Sequence, residues 1–196
     1  MAKIKVAITG GIGSGKSTAV EILLGLGFAV TSCDEITKQL YKKRSVLKEL
    51  KKMFPDAISG VIRLKADKKK IAHAVFNSVA MKNQLESYLH PLIMKNVFIA
   101  LDSAKGDMAF AEVPLLFENG LENQFDKVLI ITRDKKARIE SVKLRSNLSE
   151  QEVIDRINSQ VDYDSLDKTA YVVVENNGTK EQLENLLKNA ISSFNQ

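Results

Sequence analysis

Short apolar runs rich in β-branched residues alternate along the chain with longer stretches whose apolar positions recur every three or four residues. The first kind of run predicts buried strands, the second helices packed by one face. Ile4–Thr9 reads as a strand, and residues 16–26 as a helix with apolar Val20, Leu23 and Leu24 and with Gly27 as its cap. Phe28–Thr31 is a second strand. From Asp34 to about Phe54 the spacing Ile36, Leu40, Leu47, Leu50, Phe54 predicts a helix, which Pro55 to Gly60 ends. Asp67 to Ala104 is a largely helical block in which His90-Pro91 should interrupt or restart the helix. Strands follow at Met108–Val113, Lys127–Thr132 and Tyr171–Val174. Between the last two, residues 134–146 and 149–160 predict two helices, the second opened by the capping box Ser149-x-x-Glu152. After the turn at Asn176-Asn177-Gly178, a second box, Thr179-x-x-Gln182, opens a helix carrying Leu183, Leu186, Leu187, Ala190 and Ile191.

Five short buried-type strands separated by helices imply an α/β chain with a parallel sheet covered on both faces. The 196 residues suit one such unit. The helical excess at 60–105 and 134–165 exceeds what crossovers need. These segments are the expected substrate-binding region and lid, around a core of about 1–59, 106–133 and 166–196.

Charge and composition narrow the partners. A net charge of +5 favours anionic ones. Only 6% of residues are aromatic, none is Trp, and no basic tail is present, which argues against nucleic acid. No apolar run reaches the length of a membrane span. A single cysteine, Cys33, excludes an intrachain disulfide and fits a reducing compartment. Met1-Ala2-Lys3-Ile4 leads straight into a strand, so the expectation is a cytoplasmic monomer or small homo-oligomer.

The chemistry begins at Gly10-Gly11-Ile12-Gly13-Ser14-Gly15-Lys16-Ser17, which fits G-x-x-x-x-G-K-[ST] between a strand and a helix. Glycines let consecutive amides curl around phosphate oxygens, and the helix N-terminus adds partial positive charge. Gly11, Ile12, Gly13, Ser14, Gly15, Lys16, Ser17 and Thr18 are therefore expected to bind a nucleoside triphosphate, which the resemblance given below makes ATP. Lys16 would reach the β- and γ-phosphates, and Ser17 would ligate Mg²⁺. The dinucleotide pattern G-x-G-x-x-G fails, because its third glycine position holds Lys16. The guanine motif Asn-Lys-x-Asp and a transporter-type Leu-Ser-Gly-Gly are absent. A compact small-molecule kinase fits best.

The phosphate loop, Leu89-His90-Pro91-Leu92-Ile93, Val113-Pro114-Leu115-Leu116-Phe117-Glu118 and Asn176-Asn177-Gly178 stand in that order and spacing. Together they resemble the dephospho-CoA kinases, over roughly residues 4–192. The resemblance implies the P-loop kinase fold. It also implies Mg²⁺- and ATP-dependent phosphorylation of the ribose 3′-hydroxyl of dephospho-CoA, giving coenzyme A and ADP, the final step of coenzyme A biosynthesis.

The resemblance also assigns roles. Asp34, just after the second strand, matches the second Asp of the family's Asp-Ala-Asp and is the expected base for the attacking hydroxyl. Ser32 and Cys33 replace the first two residues of that motif. The plainer reading of Asp34 is a helix N-cap. Glu112, at a strand end, is expected to hold Mg²⁺ through water. Arg145 matches a lid arginine that stabilises the transferring phosphoryl group. Arg138 stands where the family commonly has Gln, Ser141 where it has Arg, and Tyr171 where it has Asp. Arg156 and Gln160 match its Arg-x-x-x-Gln spacing. His90, Leu115, Leu116 and Glu118 are expected near dephospho-CoA, and Asn177 and Gly178 near the adenine. Two alternatives stay open from sequence: a related kinase of another small alcohol or nucleotide, and a non-enzymatic nucleotide-binding module.

The net charge is itself an average over patches. Residues 38–52 carry seven lysines and arginines against Glu49, whereas 149–167 carry six acids against Arg156.

Overall fold

In the computed structural model, described for residues 3–61, 63–146, 148–163 and 165–194, the elements follow one another as strand–helix alternation. They are β1 Ile4–Thr9, α1 Lys16–Gly25, β2 Ala29–Ser32, α2 Cys33–Leu40, α3 Arg44–Met53, β3 Ile58–Ser59, β4 Lys65–Ala66, α4 Lys68–Phe76 and α5 Val79–Ser103. Then come β5 Met108–Glu112, β6 Lys127–Thr132, α6 Lys135–Arg145, α7 Glu150–Asn158, β7 Val172–Glu175 and α8 Lys180–Ser193. The chain divides into two compact units, Met1–Thr31 with Leu101–Gln196, and Ser32–Ala100.

The first unit is built on a five-stranded parallel sheet in the order β2-β5-β1-β6-β7. β1 is central: Val6 lies beside Phe110 of β5, and Ala7 beside Val128 of β6. Alternation along the strands sends Val6, Ile8, Met108, Phe110, Leu129, Ile131 and Val174 to one face. There they meet Ala19, Ile22 and Leu23 of α1 and Leu183, Leu187 and Ile191 of α8. Ala7, Ala109, Ala111, Val128 and Ile130, of opposite parity, are buried as well, as a sheet covered on both faces requires. α1 ends where the N–H of Gly27 returns to the Leu24 carbonyl. Both expected capping boxes, Ser149–Glu152 and Thr179–Gln182, form. α6 and α7 close a small apolar cluster of Val142, Val153 and Ile157.

The second unit buries Ile36, Leu40, Val46, Leu47, Leu50, Phe54, Ile58 and Ile71. Residues 32–59, which the sequence pattern groups with the sheet, thus pack in this unit. Two expectations are corrected here. The helix predicted from Asp34 to Phe54 is two helices separated at Tyr41–Lys43, where the amides of Lys42 and Lys43 make i→i−3 turns to Gln39 and Leu40. The apolar spacing carries across this break because both helices bury the same kind of face. The helix expected to break at His90-Pro91 instead runs unbroken through Pro91. A proline removes one hydrogen bond, here to the Ser87 carbonyl, and burial of Leu89, Met94 and Val97 around it outweighs that loss. The β3–β4 hairpin, two residues a side, carries no periodicity that the sequence could reveal. Among the described residues, no helix is long and apolar enough to cross a membrane.

Candidate active site

β1 delivers the chain at Thr9 into the glycine-rich loop, which closes at the first turn of α1. Gly15 is the N-cap of α1, so no side chain caps the helix and no acid occupies its first turn. The free amides and the helix dipole face outward, as an anion site requires. The Lys16 ammonium folds back on the loop, donating to the carbonyls of Gly10 at 2.5 Å and Gly11 at 3.1 Å. The hydroxyl of Ser14 is buried without a partner among the described residues. Ser17 is exposed and Thr18 half-buried in the first turn of α1.

A cavity of about 170 Å³ opens over the loop, lined by Ile12, Gly13, Ser14, Gly15, Lys16, Ser17, Glu112 and Arg145. Two of these come from distant sequence. Glu112 ends β5, in register with Ile8 of β1, which sets its carboxylate beside the start of the loop. Arg145 is the exposed last residue of α6. The charges converge on Lys16, whose pKa falls to about 8. Burial is the main cause; Arg138 and Arg145 push in the same direction, while Glu112 and Glu118 oppose them. An ammonium held at this expense, with an arginine beside it, is suited to meet phosphate. The Ser17 hydroxyl and Glu112 carboxylate are hard oxygen donors on the same cavity. They fit Mg²⁺ arriving with a polyphosphate, since that ion commonly takes one or two protein oxygens and fills its remaining positions with phosphate and water.

The other expected residues fall in several places. Asn177 and Gly178 line a separate cavity of about 790 Å³ along β7 and α8. The Asn177 side chain pairs both ways with Asp134 at the start of α6, accepting from its N–H at 2.9 Å and donating to its carboxylate at 3.2 Å. Glu118 accepts the N–H of Val161 at 3.1 Å. Leu115 is exposed, but Leu116 is fully buried, so it supplies packing and its side chain presents no surface to a ligand. In the second unit, His90 is half-buried midway along α5. Asp34 is exposed in the first turn of α2. It is not the N-cap: the helix starts one residue earlier, and Ser32 holds that position without a side-chain capping bond. Sequence reasoning passed over Asn176, whose Nδ2 donates to the Ser14 carbonyl, and Tyr163, whose buried hydroxyl shares a hydrogen bond with Thr9. The turn residues before α8 gave a signal for Asn176. Nothing local marked Tyr163.

A phosphate loop carrying its lysine, a strand-end carboxylate and the arginine that ends α6, all on one cavity, describe many kinases; comparison with known proteins selects among them. A family model described as dephospho-CoA kinase matches residues 4–182. The chain belongs to the dephospho-CoA kinase family. A dephospho-CoA kinase from Thermus thermophilus is 33% identical over 191 residues, covering 97% of this chain and 92% of that protein. A crystal structure from the same organism superposes with a TM-score of 0.84 at 32% identity, covering 98% of both chains. A dephospho-CoA kinase structure from Campylobacter jejuni gives a TM-score of 0.73 at 28% identity, again over 98% of each chain. The fold is therefore that of the P-loop kinases, and a member of the dephospho-CoA kinase family is a phosphotransferase.

Proposed function

We propose that this kinase transfers the γ-phosphoryl group of ATP to the ribose 3′-hydroxyl of dephospho-CoA, giving coenzyme A and ADP. The observation that carries this reading is the convergence of Lys16, Ser17, Glu112 and Arg145 on one cavity in a chain of this family. The amides of the loop and the Lys16 ammonium hold the β- and γ-phosphates. Arg145 stabilises the charge spread over the transferring group. Ser17 would hold Mg²⁺ directly and Glu112 through water, and the ion would neutralise charge on the β- and γ-oxygens.

Asp34 takes the proton of the 3′-hydroxyl as its oxygen forms the new bond to the γ-phosphorus. The bond from that phosphorus to the β–γ bridging oxygen breaks, ADP leaves, and the proton passes from Asp34 to solvent. Support for Asp34 is its place two residues after β2, at the carboxyl end of a sheet strand, where open α/β sheets bind ligands. The helical segment 60–105 with His90, together with Leu115 and Glu118, would receive dephospho-CoA. Asn177 and Gly178 would border the adenine, and segment 134–165 would act as the lid. Closure of that lid excludes water and limits ATP hydrolysis. The expected setting is the cytoplasm, with ATP and dephospho-CoA as partners and a monomer or small homo-oligomer as the working form.

A coupled assay of ADP release tests the reading. ADP production that depends on dephospho-CoA, with coenzyme A as the product, is the expected result. ADP release unaffected by dephospho-CoA but raised by another alcohol or nucleotide would overturn it.

A further inference from the structure

One residue of the phosphate loop, Ile12, is held at once by α6 and by the segment that follows α7. Its N–H donates to Oε1 of Gln160, two residues beyond α7, at 2.7 Å. Its carbonyl accepts from Nε of Arg138 in α6 at 3.0 Å. Its side chain packs against the cluster of Val142, Val153 and Ile157, with Ile139 and Leu148 beside it.

These contacts matter because peptide units are rigid and trans. The carbonyl of one residue and the N–H of the next belong to one plane and point in opposite directions. Fixing the Ile12 carbonyl toward Arg138 therefore aims the Gly13 N–H the other way, and Gly13 lines the cavity that holds Lys16 and Ser17. Fixing the Ile12 N–H toward Gln160 likewise turns the Gly11 carbonyl away from the lid. That carbonyl accepts from the Lys16 ammonium at 3.1 Å and from the Ser14 amide at 3.2 Å. The two planes that meet at Ile12 thus set one phosphate-facing amide and one anchor of the catalytic lysine. Neither Gln160 nor the Arg138 Nε needs to touch ATP to do this.

We propose that Gln160 and Arg138 are positioning residues, which act through the peptide planes on either side of Ile12 to orient the phosphate loop for ATP. The proposal rests on the ATP site assigned above. Its consequence is specific: loss of the Gln160 acceptor disturbs the nucleotide half of the reaction and leaves the other substrate alone.

The test is steady-state kinetics with both substrates on Gln160→Leu and Gln160→Glu, with thermal midpoints measured in parallel. Gln160→Leu removes the acceptor at similar size and strands a backbone donor, and the expected result is a rise in KM for ATP of about tenfold. KM for dephospho-CoA should stay within about twofold, even where the stranded donor lowers the thermal midpoint by a few degrees. Gln160→Glu keeps an oxygen in reach of the Ile12 N–H and should return KM for ATP to within about threefold of the parent. An unchanged KM for ATP in Gln160→Leu, a parallel rise of both KM values with a lower midpoint, or failure of Gln160→Glu to recover would each overturn the proposal. The parent protein serves as control in the same assay. If it does not turn over dephospho-CoA, the functional reading fails, and equilibrium binding of ATP to the same two variants still decides the role of Gln160.

Discussion

Asn176 Nδ2 lies 2.9 Å from the carbonyl oxygen of Ser14, tying the turn after β7 to the phosphate loop. The contact is close enough that a Cβ on Gly15 would fall 2.0 Å from the same nitrogen. Its neighbour Asn177 pairs with Asp134 at the start of α6. Two adjacent asparagines therefore fasten one turn to the loop and to the start of α6. Asn176→Ala removes the first tie, a hydrogen bond worth about 1 kcal/mol, so KM for ATP should rise about fivefold. The turnover number should change little, since no transferring group is touched. Steady-state kinetics at varied ATP checks this, and an unchanged KM would show that the loop holds its shape without the turn.

Lys16 predicts a pH dependence. Burial lowers its pKa from the ordinary 10.5 to about 8, with Arg138 and Arg145 adding to the shift. Only the ammonium serves phosphate. The parameter kcat/KM for ATP, which reports the free enzyme, should therefore fall as pH rises above about 8. The turnover number at saturating ATP should persist to higher pH, because bound phosphate favours the charged lysine. The sign for stability is opposite. Between about 8 and 10.5 the unfolded chain binds more protons than the folded one, so the Lys16 contribution to stability improves as pH rises through that window. Below it the full cost of burying the charge is present. A pH–rate profile for ATP checks the functional limb, and a profile flat to pH 9.5 would contradict it.

Two glycines of the loop should differ sharply on substitution. A Cβ at Gly11 would meet the Arg138 guanidinium at 2.3 Å, the far end of a flexible side chain. At Gly13 it would meet the Arg138 backbone carbonyl at 2.6 Å, and the residue sits at φ +78°. The first side chain can move; the second obstacle is the body of α6, and the conformation itself is unfavourable to any residue with a Cβ. Gly13→Ala is expected to lower kcat/KM for ATP more than tenfold and to lower the thermal midpoint by several degrees. Gly11→Ala should cost a fraction of that. Equal losses in the two variants would show that phosphate contact, and not the approach of α6, demands both glycines.

The fold was legible where the local pattern and the tertiary outcome agree. β6 is read to the residue as Lys127–Thr132, and both capping boxes form where Ser149 and Thr179 announce them. The loop was legible because its glycines and lysine are contiguous. What the sequence hid depends on contacts between distant residues. Pro91 sits inside α5 because buried neighbours outweigh one lost hydrogen bond, a balance no window of sequence displays. Asn176, Gln160 and Tyr163 meet the loop or its flank from 148 to 162 positions away, through side-chain bonds without a periodic signature; only the Arg-x-x-x-Gln spacing marked Gln160, and it did not name the partner. Leu115 and Leu116 look alike in sequence, and only the packing separates the exposed one from the buried one.

The first turn of α2 offers an internal control for the proposed base. Asp34 and Glu35 are adjacent, exposed and in the same turn. Glu35 accepts from Lys38 at 3.1 Å, whereas the Asp34 carboxylate has no hydrogen-bond or ion-pair partner among the described residues. A carboxylate kept free of partners can accept a proton; one held by a lysine is engaged in a surface pair of small energetic value. Asp34→Asn preserves size and removes the proton acceptor. The turnover number should fall by a factor of about 10² to 10⁴, the range for a general base, with KM for ATP nearly unchanged. Glu35→Gln should retain the parent rate within about twofold, since loss of an exposed ion pair disturbs little. The measurement is the initial rate of ADP release for the parent and both variants across pH 5–9. Near-parent turnover by Asp34→Asn would remove it as the base, and equal losses in both variants would point to the helix start as a structural element and not to proton transfer.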